Sequence, residues 1–557
     1  MSSSAQDVTA RVGMIGGIVL FLVIWTMPTP AGMAPEAQRL LAITALMSAY
    51  WLTQAIPIGA TSLIPIIAFP LLGIQRPDDV SNAYINKMTF LFLGGFIIAL
   101  GIERWGLHQR IALHIVKLLG TSLRRVILGF MFATAFLSMW ISNTASTLLM
   151  TPIAIALVVS LQDAIGGDSI RDPKELEATH GVDRKGPLGP FGISLMLGIA
   201  WAASIGGLTT LVGTITNVQF VGLWEAAFPD APEISAGKWL TTFAPVGITL
   251  ILLAWGMLIF RMPTPGKGIE RDFFTDRLQA LGKPSRAEWT MLAVFVATAL
   301  LWTFRKPIPL PFGIPFLSSD DPPLVDATDS QFGIPGWGDG VSWFLQTQLG
   351  ASAKFAKGAV HDSSVAIGMS IVMFMLPSGK RENGHSLRIM DWDTAVKLPW
   401  QILLLVGGGF AIAGAFEQTG LAEWVGDAFA ATVGNWQTWA VIMAVCLMLT
   451  FLTEFATNVV VVSVILPVLA EASLRLNVDP RLLMLPAAAS ASCAFMLPIG
   501  TPPNAIVFSS GILTMGDMAR KGFLLNLIGV LLMTLATVFY LVPAFGISTD
   551  GLPDWAQ

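Results

Sequence analysis

The sequence predicts an all-α polytopic membrane protein of about eleven transmembrane helices plus two re-entrant hairpins, arranged as an inverted repeat. Three observations predict it. Of 557 residues, 54% are hydrophobic and only 12% charged, with a mean hydropathy of +0.69, against roughly 25% charged residues in soluble domains. Two stretches, Trp140-Ile141-Ser142-Asn143-Thr144-Ala145-Ser146-Thr147 and Phe455-Ala456-Thr457-Asn458-Val459-Val460, set hydroxyls and an Asn inside long apolar runs, and each Asn is followed nine residues later by a proline, Pro152 or Pro467. Finally, Gly94-Gly95-Phe96, Ala99, Glu103 and Gly106-Leu107 return at one constant offset as Gly408-Gly409-Phe410, Ala413, Glu417 and Gly420-Leu421, which marks an internal repeat.

A net charge of −4 provides no basic surface for nucleic acid, and the charged side chains fall in the connections between apolar runs, where they report topology. Cys446 and Cys493 both lie inside apolar runs, so neither a disulfide framework nor a thiolate metal site is expected.

In chain order, 1–11 is a cytoplasmic tail and 12–37 holds the first span. Asp7 stands beside Arg11 ahead of that apolar run and many spans follow, so the run is read as retained rather than as a cleaved signal peptide. The first repeat, 38–260, opens with apolar runs at 40–56, 58–72 and 88–101. From 103 to 125, Arg104, Arg110, Lys117, Arg124 and Arg125 interleave with Ile111, Ile115, Val116 and Leu119, the pattern of an amphipathic helix on the cytoplasmic surface. His108 and His114 in that stretch read as interfacial side chains rather than a metal pair. The run 127–161 is long enough to enter and leave the bilayer, and its polar tip at Ser142-Asn143-Thr144 makes it an inner re-entrant hairpin. After a mixed-charge connection, 162–190, the uncharged segment 191–224 is interrupted at Gly206-Gly207 and at Gly213-Thr214-Ile215-Thr216-Asn217, the sign of a broken helix. A span at 243–260 closes the repeat.

The loop 261–286 is rich in Arg and Lys and belongs in the cytoplasm. The second repeat, 287–546, begins with a span at 289–304. The segment 307–352 has five aspartates and no Lys or Arg and belongs outside. Residues 365–376 cross back, and Lys380, Arg381, Arg388 and Lys397 mark the cytoplasm again. The surface helix after Glu417 carries Glu423 and Asp427 with no basic residue before Asn435, the reverse of its basic counterpart. The second copy therefore faces outward and the repeats are inverted. Residues 439–470 then form an outer hairpin with Thr457-Asn458-Val459 at its tip. A second broken helix, 482–516, is interrupted at Gly500-Thr501-Pro502-Pro503-Asn504; 523–542 is the last span and 547–557 an outer tail.

Inverted repeats with paired hairpins and paired broken helices describe a secondary transporter. The segments 126–161, 191–224 and 482–516 contain no Lys, Arg or His, and 439–470 contains Glu454 as its one charged residue. Such a site can still hold an anion, because half-helix N-termini present free N–H groups and roughly half a positive charge each. The opposite ends offer carbonyl oxygens that, with Asn and Ser oxygens, suit a hard monovalent cation. Two other classes fit less well. A membrane-embedded enzyme needs a nucleophile–base pair or a metal cluster, which an apolar core without His does not offer; a channel would use the same site without alternating access. Glu454 has no counterpart, since Met139 holds the matching position. An intramembrane carboxylate is a functional candidate by default, but the preferred reading here is structural, the carboxylate accepting backbone N–H bonds of the hairpin. The Gly94-Gly95 and Gly408-Gly409 pairs read as close-packing positions.

Three motifs carry a resemblance. Ser138-Met139-Trp140-Ile141-Ser142-Asn143-Thr144-Ala145, Thr453-Glu454-Phe455-Ala456-Thr457-Asn458-Val459 and Phe495-Met496-Leu497-Pro498-Ile499-Gly500-Thr501-Pro502-Pro503-Asn504-Ala505-Ile506-Val507-Phe508 resemble the signatures of the divalent anion/sodium symporter family, in order through nearly the whole chain apart from 307–352. The resemblance implies a carrier of dicarboxylates, citrate or sulfate, usually with several sodium ions. It implies a multi-pass protein of the plasma (inner) membrane, a homodimer that works by an elevator movement of a transport domain against a scaffold. Its partners are then a small divalent anion, sodium and membrane lipid, with no cofactor beyond sodium as coupling ion. A C4-dicarboxylate moved with sodium is the preferred reading; sulfate, citrate or dicarboxylate exchange are the alternatives.

Carried over residue by residue, the resemblance implies a substrate site of Ser142, Asn143 and Thr144 facing Thr457, Asn458 and Val459, with Thr501 and Pro502 beside them. One sodium would use Ser138, Ser142, Asn143 and the backbone at Gly213. A second would use Thr453, Asn458 and the backbone at Ala456, Gly500 and Pro502. Two positions depart from the family pattern. Val459 stands where many members have Thr, and Ile215-Thr216 replaces the Pro-Pro expected by symmetry with Pro502-Pro503.

Overall fold

Two helical hairpins and two interrupted helices set the plan of the molecule. The computed structural model describes residues 3–120, 122–165, 183, 186–262, 272–309, 333–334, 336–382 and 385–557. Most of the connection 162–190, part of the loop 261–286 and much of the segment 307–352 lie outside these. Among the described residues, eight helices are long and apolar enough to cross a membrane by length and composition, and three shorter apolar helices, Ile58–Leu71, Asp362–Met375 and Thr438–Leu452, accompany them.

The first hairpin joins Leu123–Ser138 to Asn143–Ile165, the second Thr438–Leu452 to Asn458–Arg475. Their first limbs, of 16 and 15 residues, are about 24 and 22 Å long at 1.5 Å per residue. That is short of a hydrocarbon core roughly 30 Å thick. The limbs are braced alike. Gly189–Leu208, the first half of one broken helix, packs against both limbs of the first hairpin, and Arg481–Ser490, the first half of the other, packs against both limbs of the second. A Cβ at Gly206 would lie 2.3 Å from the Ala135 carbonyl oxygen, so glycine is what lets the broken helix close on the hairpin limb.

The repeat is visible in backbone angles. Lys87–Arg104 gives way to Leu107–Leu119 at Gly106 (φ 69°, ψ 12°), and Trp400–Gln418 to Leu421–Val433 at Gly420 (φ 71°, ψ 12°). Both turns are left-handed, which glycine adopts without a Cβ penalty, and both surface helices have 13 residues. The basic surface helix is therefore narrower than 103–125: Gly106 separates it from the preceding helix, and Arg124 and Arg125 belong to the first turn of the hairpin, which Ser122 caps. His108 is buried, with Nδ1 3.1 Å from the Ile102 carbonyl oxygen; burial lowers its pKa. His114 Nδ1 sits 2.7 Å from the Arg110 carbonyl. A Cβ at Gly94 would come 2.5 Å from the Ala366 carbonyl carbon and one at Gly408 2.8 Å from the Ser62 carbonyl oxygen, as close-packing positions require.

Three features differ from the expected plan. The run 58–72 divides into Ile58–Ser62 and Ile64–Leu71 around Leu63, with Pro65 in the first turn of the second piece, where its missing N–H costs no helical hydrogen bond. Two short antiparallel pairs, Ile308–Pro309 with Gly333–Ile334 and Pro377–Glu382 with His385–Arg388, add a little β-structure to the helical fold. The tail 547–557 also docks: Trp555 meets Trp224 edge-on at 5.1 Å, and the Asp479 carboxylate accepts from Ser548 N–H at 3.1 Å and Arg481 Nη2 at 2.6 Å.

Candidate functional site

A break in a membrane helix frees backbone groups that have no water to bond, and each must find a partner. In the first broken helix, Gly189–Leu208 stops and Ile215–Ala227 resumes. Asn217, fully buried, donates through Nδ2 to the freed carbonyls of Gly207 (3.1 Å), Leu208 (3.1 Å) and Thr210 (2.8 Å). Thr210 Oγ1 in turn donates to the Met139 carbonyl at the hairpin tip, 2.5 Å away. The tip answers with Asn143, whose Oδ1 accepts from Ser138 Oγ at 2.6 Å. A Cβ at Gly207 would lie 2.5 Å from that Oδ1 and 3.0 Å from the Gly213 carbonyl oxygen. Ser138, Asn143 and the backbone at Gly213 are thus drawn to one point.

The second break repeats the device. Arg481–Ser490 stops, Pro502–Ser509 resumes, and Asn504 donates to the carbonyls of Leu497 (3.0 Å) and Ala494 (3.1 Å). These lie seven and ten residues before it, as Thr210 and Gly207 lie before Asn217. The freed N–H groups have partners as well. Glu454, fully buried at the second tip, accepts from Met496 and Leu497 N–H at 2.8 Å each and from Asn526 Nδ2 at 2.7 Å, while Asn526 Oδ1 accepts from Phe495 N–H at 3.1 Å. Trp201 of the first broken helix donates to the Phe495 carbonyl at 3.0 Å. The N–H groups that Glu454 accepts from belong to the broken helix, not to the hairpin as expected. Sequence reasoning named neither Asn526 nor the lacing by Asn217 and Asn504; the paired Asn three residues after Thr214 and Thr501 was the signal available.

The resumed helices carry the site's polarity. Thr214, Thr457 and Thr501 occupy the N-cap positions of Ile215–Ala227, Asn458–Arg475 and Pro502–Ser509, and none of their side chains caps its helix. Threonine at an N-cap ordinarily bonds an N–H of the first turn; here the threonines do not, and the first-turn N–H groups of Ile215–Ala227 and Asn458–Arg475, with that of Asn504 beyond Pro502 and Pro503, which have none, stand at the positive ends of their helix dipoles. Ile215–Ala227 packs on Asn458–Arg475 and Pro502–Ser509 on Asn143–Ile165, so each break is laid against the opposite hairpin. Among the described residues, Thr457 Oγ1, Asn458 Oδ1, Thr501 Oγ1 and Asn504 Oδ1 are buried oxygens without a hydrogen-bond partner. An orphaned buried acceptor is costly, and an all-oxygen set of this kind is the chemistry a hard cation takes.

The other expected site residues stand as follows. Ser142 is exposed and its Oγ accepts from Ala145 N–H at 3.1 Å, capping its own helix. Thr144 and Ala456 are half-buried and Pro502 is exposed. Thr453 is buried, its Oγ1 donating to the Leu449 and Thr450 carbonyls at 3.0 Å. A Cβ at Gly500 would lie 3.0 Å from Glu454 Oε2, which places Gly500 against the second tip. Val459 is 7% exposed and belongs to an apolar cluster with Tyr84, Ile412 and Phe416, against which Ile215 also packs. The two departures from the family pattern therefore share one apolar environment. Thr216, in place of a proline, uses its hydroxyl at 3.0 Å from Ser492 Oγ.

Known proteins match the chain along nearly its whole length. The family model described as the sodium:sulfate symporter transmembrane region matches residues 9–546. The sodium-dependent dicarboxylate transporter SdcS of Staphylococcus saprophyticus is 36% identical over 555 residues, covering 99% of this chain and 95% of that protein, and SdcS of Staphylococcus aureus is 35% identical over 535 residues, covering 96% and 91%. Among solved structures, Neisseria gonorrhoeae MtrF, described in a class of antimetabolite efflux pumps, superposes with a TM-score of 0.51 at 12% identity over 98% of this chain and 97% of its own; at that identity the likeness is one of fold alone. The chain is an integral, multi-pass membrane protein, and it belongs to the sodium:sulfate symporter family, the divalent anion/sodium symporters.

Proposed function

We propose that this chain is a secondary active transporter of the plasma membrane that moves a divalent anion, a C4-dicarboxylate, together with sodium ions. The observation that carries the reading is the set of three threonine N-caps whose side chains leave their helix N-termini open, beside buried oxygens that lack partners. The N–H groups serve the carboxylates, and the orphaned oxygens serve sodium. One sodium takes Ser138, Asn143 and the Gly213 carbonyl, with Ser142; the other takes Thr453, Asn458 and the backbone at Ala456, Gly500 and Pro502. The anion lies between the tips, against Asn143, Thr144, Thr457, Asn458 and Thr501. The names of the staphylococcal relatives favour a dicarboxylate over sulfate or citrate. The eleven-span inverted topology, the homodimer and the elevator movement follow the family resemblance. In this scheme the hairpins and broken helices form the moving body, and nothing in it performs chemistry on the substrate. Proteoliposome uptake of labelled succinate, citrate and sulfate, with and without an inward sodium gradient, tests the reading. Succinate uptake that rises at least tenfold with the gradient is expected; equal uptake with and without it would overturn sodium coupling, and uptake of sulfate alone would overturn the substrate.

A further inference from the structure

Ion pairs tie the hairpins and broken helices, the body that the proposed function sets in motion, to the helices around them at one end of the molecule. The helix Lys87–Arg104 marks the two ends, about 27 Å apart at 1.5 Å per residue. At the Lys87 end, Glu225 of the broken helix Ile215–Ala227 lies 2.9 Å from Lys87 Nζ and 3.8 Å from His361 Nε2. Beyond that helix, Glu233 bonds Arg305 and meets Lys306 Nζ at 3.2 Å. The Ala236 N–H that follows donates to Asp362 Oδ2 at 2.9 Å. On the second hairpin, Arg475 bonds Glu423 and sits 3.0 Å from Asp427, both on Leu421–Val433. Asn86, Phe228, Gln418 and Leu474 line one cavity, so the three groups of pairs share this end. At the Arg104 end, Arg104 bonds Asp391 and Arg110 lies 3.2 Å from Glu288; both pairs join surrounding helices to one another and leave the body out.

The pairs are built to part as well as to hold. Arg305 is 1% exposed, and when Glu233 leaves, it keeps Asp362 on Nε at 2.5 Å and the Val360 carbonyl on Nη1 at 3.1 Å. Separation therefore strands no buried charge, which is the costly outcome. Lys87, Glu233 and Arg475 reach solvent and Glu225 is half-buried, so water takes over where the partners withdraw. A single exposed pair contributes little, and a network contributes more. Ile215–Ala227 packs on Asn458–Arg475, so Glu225 and Arg475 ride on packed helices and their pairs part together. We propose that Glu225, Glu233 and Arg475, with their partners, form an ionic latch that holds the body in its present position and breaks as the body moves. The latch rests on the proposed elevator movement, and its test separates the two.

The test uses the full chain carrying Ala470→Cys. Ala470 lies on Asn458–Arg475, is 4% exposed, and lines the cavity with Ala422 of Leu421–Val433, so a sulfur has room there and is uncovered when the hairpin leaves that helix. The native Cys446 and Cys493 are 0% and 1% exposed, so labelling by N-ethylmaleimide reads position 470. Glu225→Gln with Glu233→Gln should speed labelling at least threefold. Lys87→Glu, which sets two acids side by side, should do the same, and adding Glu225→Lys to it should restore the slow rate. Glu225→Gln alone, which leaves Arg305 all its partners, serves if the double variant does not fold. Asp391→Asn breaks a pair at the other end while keeping a side-chain oxygen for the Thr394 N–H, and should leave the rate unchanged. Unchanged labelling in the neutralised variants, no rescue by the exchanged pair, or equal acceleration by Asp391→Asn would each overturn the latch; sodium-driven succinate uptake by the same protein would then leave the transport reading standing. The expected labelling pattern in a protein that takes up no succinate would uphold the latch and count against the transport reading.

Discussion

Asn217 and Asn504 perform the same task in the two halves of the molecule, each lacing the freed carbonyls seven and ten residues behind it with one buried Nδ2 group. The bonds are backbone repairs, so their loss should act on stability first. Asn217→Ala orphans the Gly207 and Thr210 carbonyls and Asn504→Ala that of Ala494, while Leu208 keeps Trp239 Nε1 and Leu497 keeps the Gly500 N–H, and an orphaned buried group costs about 1–3 kcal/mol. Thermal unfolding in detergent should show both variants less stable, Asn217→Ala more so. An unchanged Tm in either would mean that the break has another support.

Glu454 is expected to act through geometry. Replacing it by Gln keeps one acceptor oxygen but turns an NH₂ toward an N–H group of Met496 or Leu497, which leaves buried donors opposed. The break beside Gly500 should loosen, raising the half-saturating sodium concentration several-fold while the pH profile of uptake keeps its shape. If the pH dependence of uptake is lost in Glu454→Gln, the carboxylate carries a proton and the structural assignment fails.

The parts of the fold that were legible were those where a polar residue interrupts an apolar run, because membrane burial leaves such residues few reasons to exist. Ser142-Asn143-Thr144 and Thr457-Asn458 marked the tips, and Gly206-Gly207 and Gly500-Thr501 marked the breaks. What could not be read were partnerships between elements far apart in the chain. Glu454 and Asn526 meet across 72 residues and Trp201 and Phe495 across 294, and no local pattern encodes either pair. The direction a side chain takes at a tip was equally hidden: Ser142 turns its hydroxyl to its own helix, while Thr457 does not.

Val459 tests that limit. Val459→Thr introduces a hydroxyl at a position that packs with Tyr84, Ile412 and Phe416, so the variant should lose stability, by about 1–3 kcal/mol if the hydroxyl stays unpaired, and keep its preference among succinate, citrate and sulfate. A shifted preference, read by competition of uptake, would place Val459 against the anion after all.

An ionic cluster between the helix ends gives a pH prediction. Arg305, 1% exposed, donates through Nε to Asp362 at 2.5 Å and also bonds Glu233, which Lys306 approaches at 3.2 Å. Burial alone would push the Glu233 carboxyl up, but Arg305 and Lys306 outweigh it and hold the group below the usual carboxylate range. A depressed pKa means that the folded state binds its proton less readily than the unfolded chain. Its stabilising effect is therefore complete above the unfolded carboxylate pKa and is lost as pH falls through the folded one. Glu233→Gln should lower Tm at neutral pH and flatten its decline in acid; an equally steep decline would assign the acid sensitivity elsewhere.

Sodium dependence follows from the charge the site lacks. A dicarboxylate brought from water to the tips meets no Lys, Arg or His in 126–161, 191–224, 439–470 or 482–516. The three open helix N-termini supply about half a unit of positive charge each, or roughly one and a half against two negative charges, before any cost of desolvation. The balance has to come from cations, and the oxygens available to hold them are Asn143 Oδ1, beside Gly207 and Gly213, and the unpartnered Asn458 Oδ1. Removing sodium should therefore weaken anion binding at least tenfold, about 1.4 kcal/mol, and by linkage the anion should tighten sodium binding by the same factor. Asn143→Ala and Asn458→Ala, folded by the same Tm criterion, should each lose both effects. Calorimetric titration of the purified protein with succinate in sodium and in potassium at equal ionic strength decides the matter: equal affinity in the two salts would remove sodium from the site and leave the helix ends and amides to hold the anion alone.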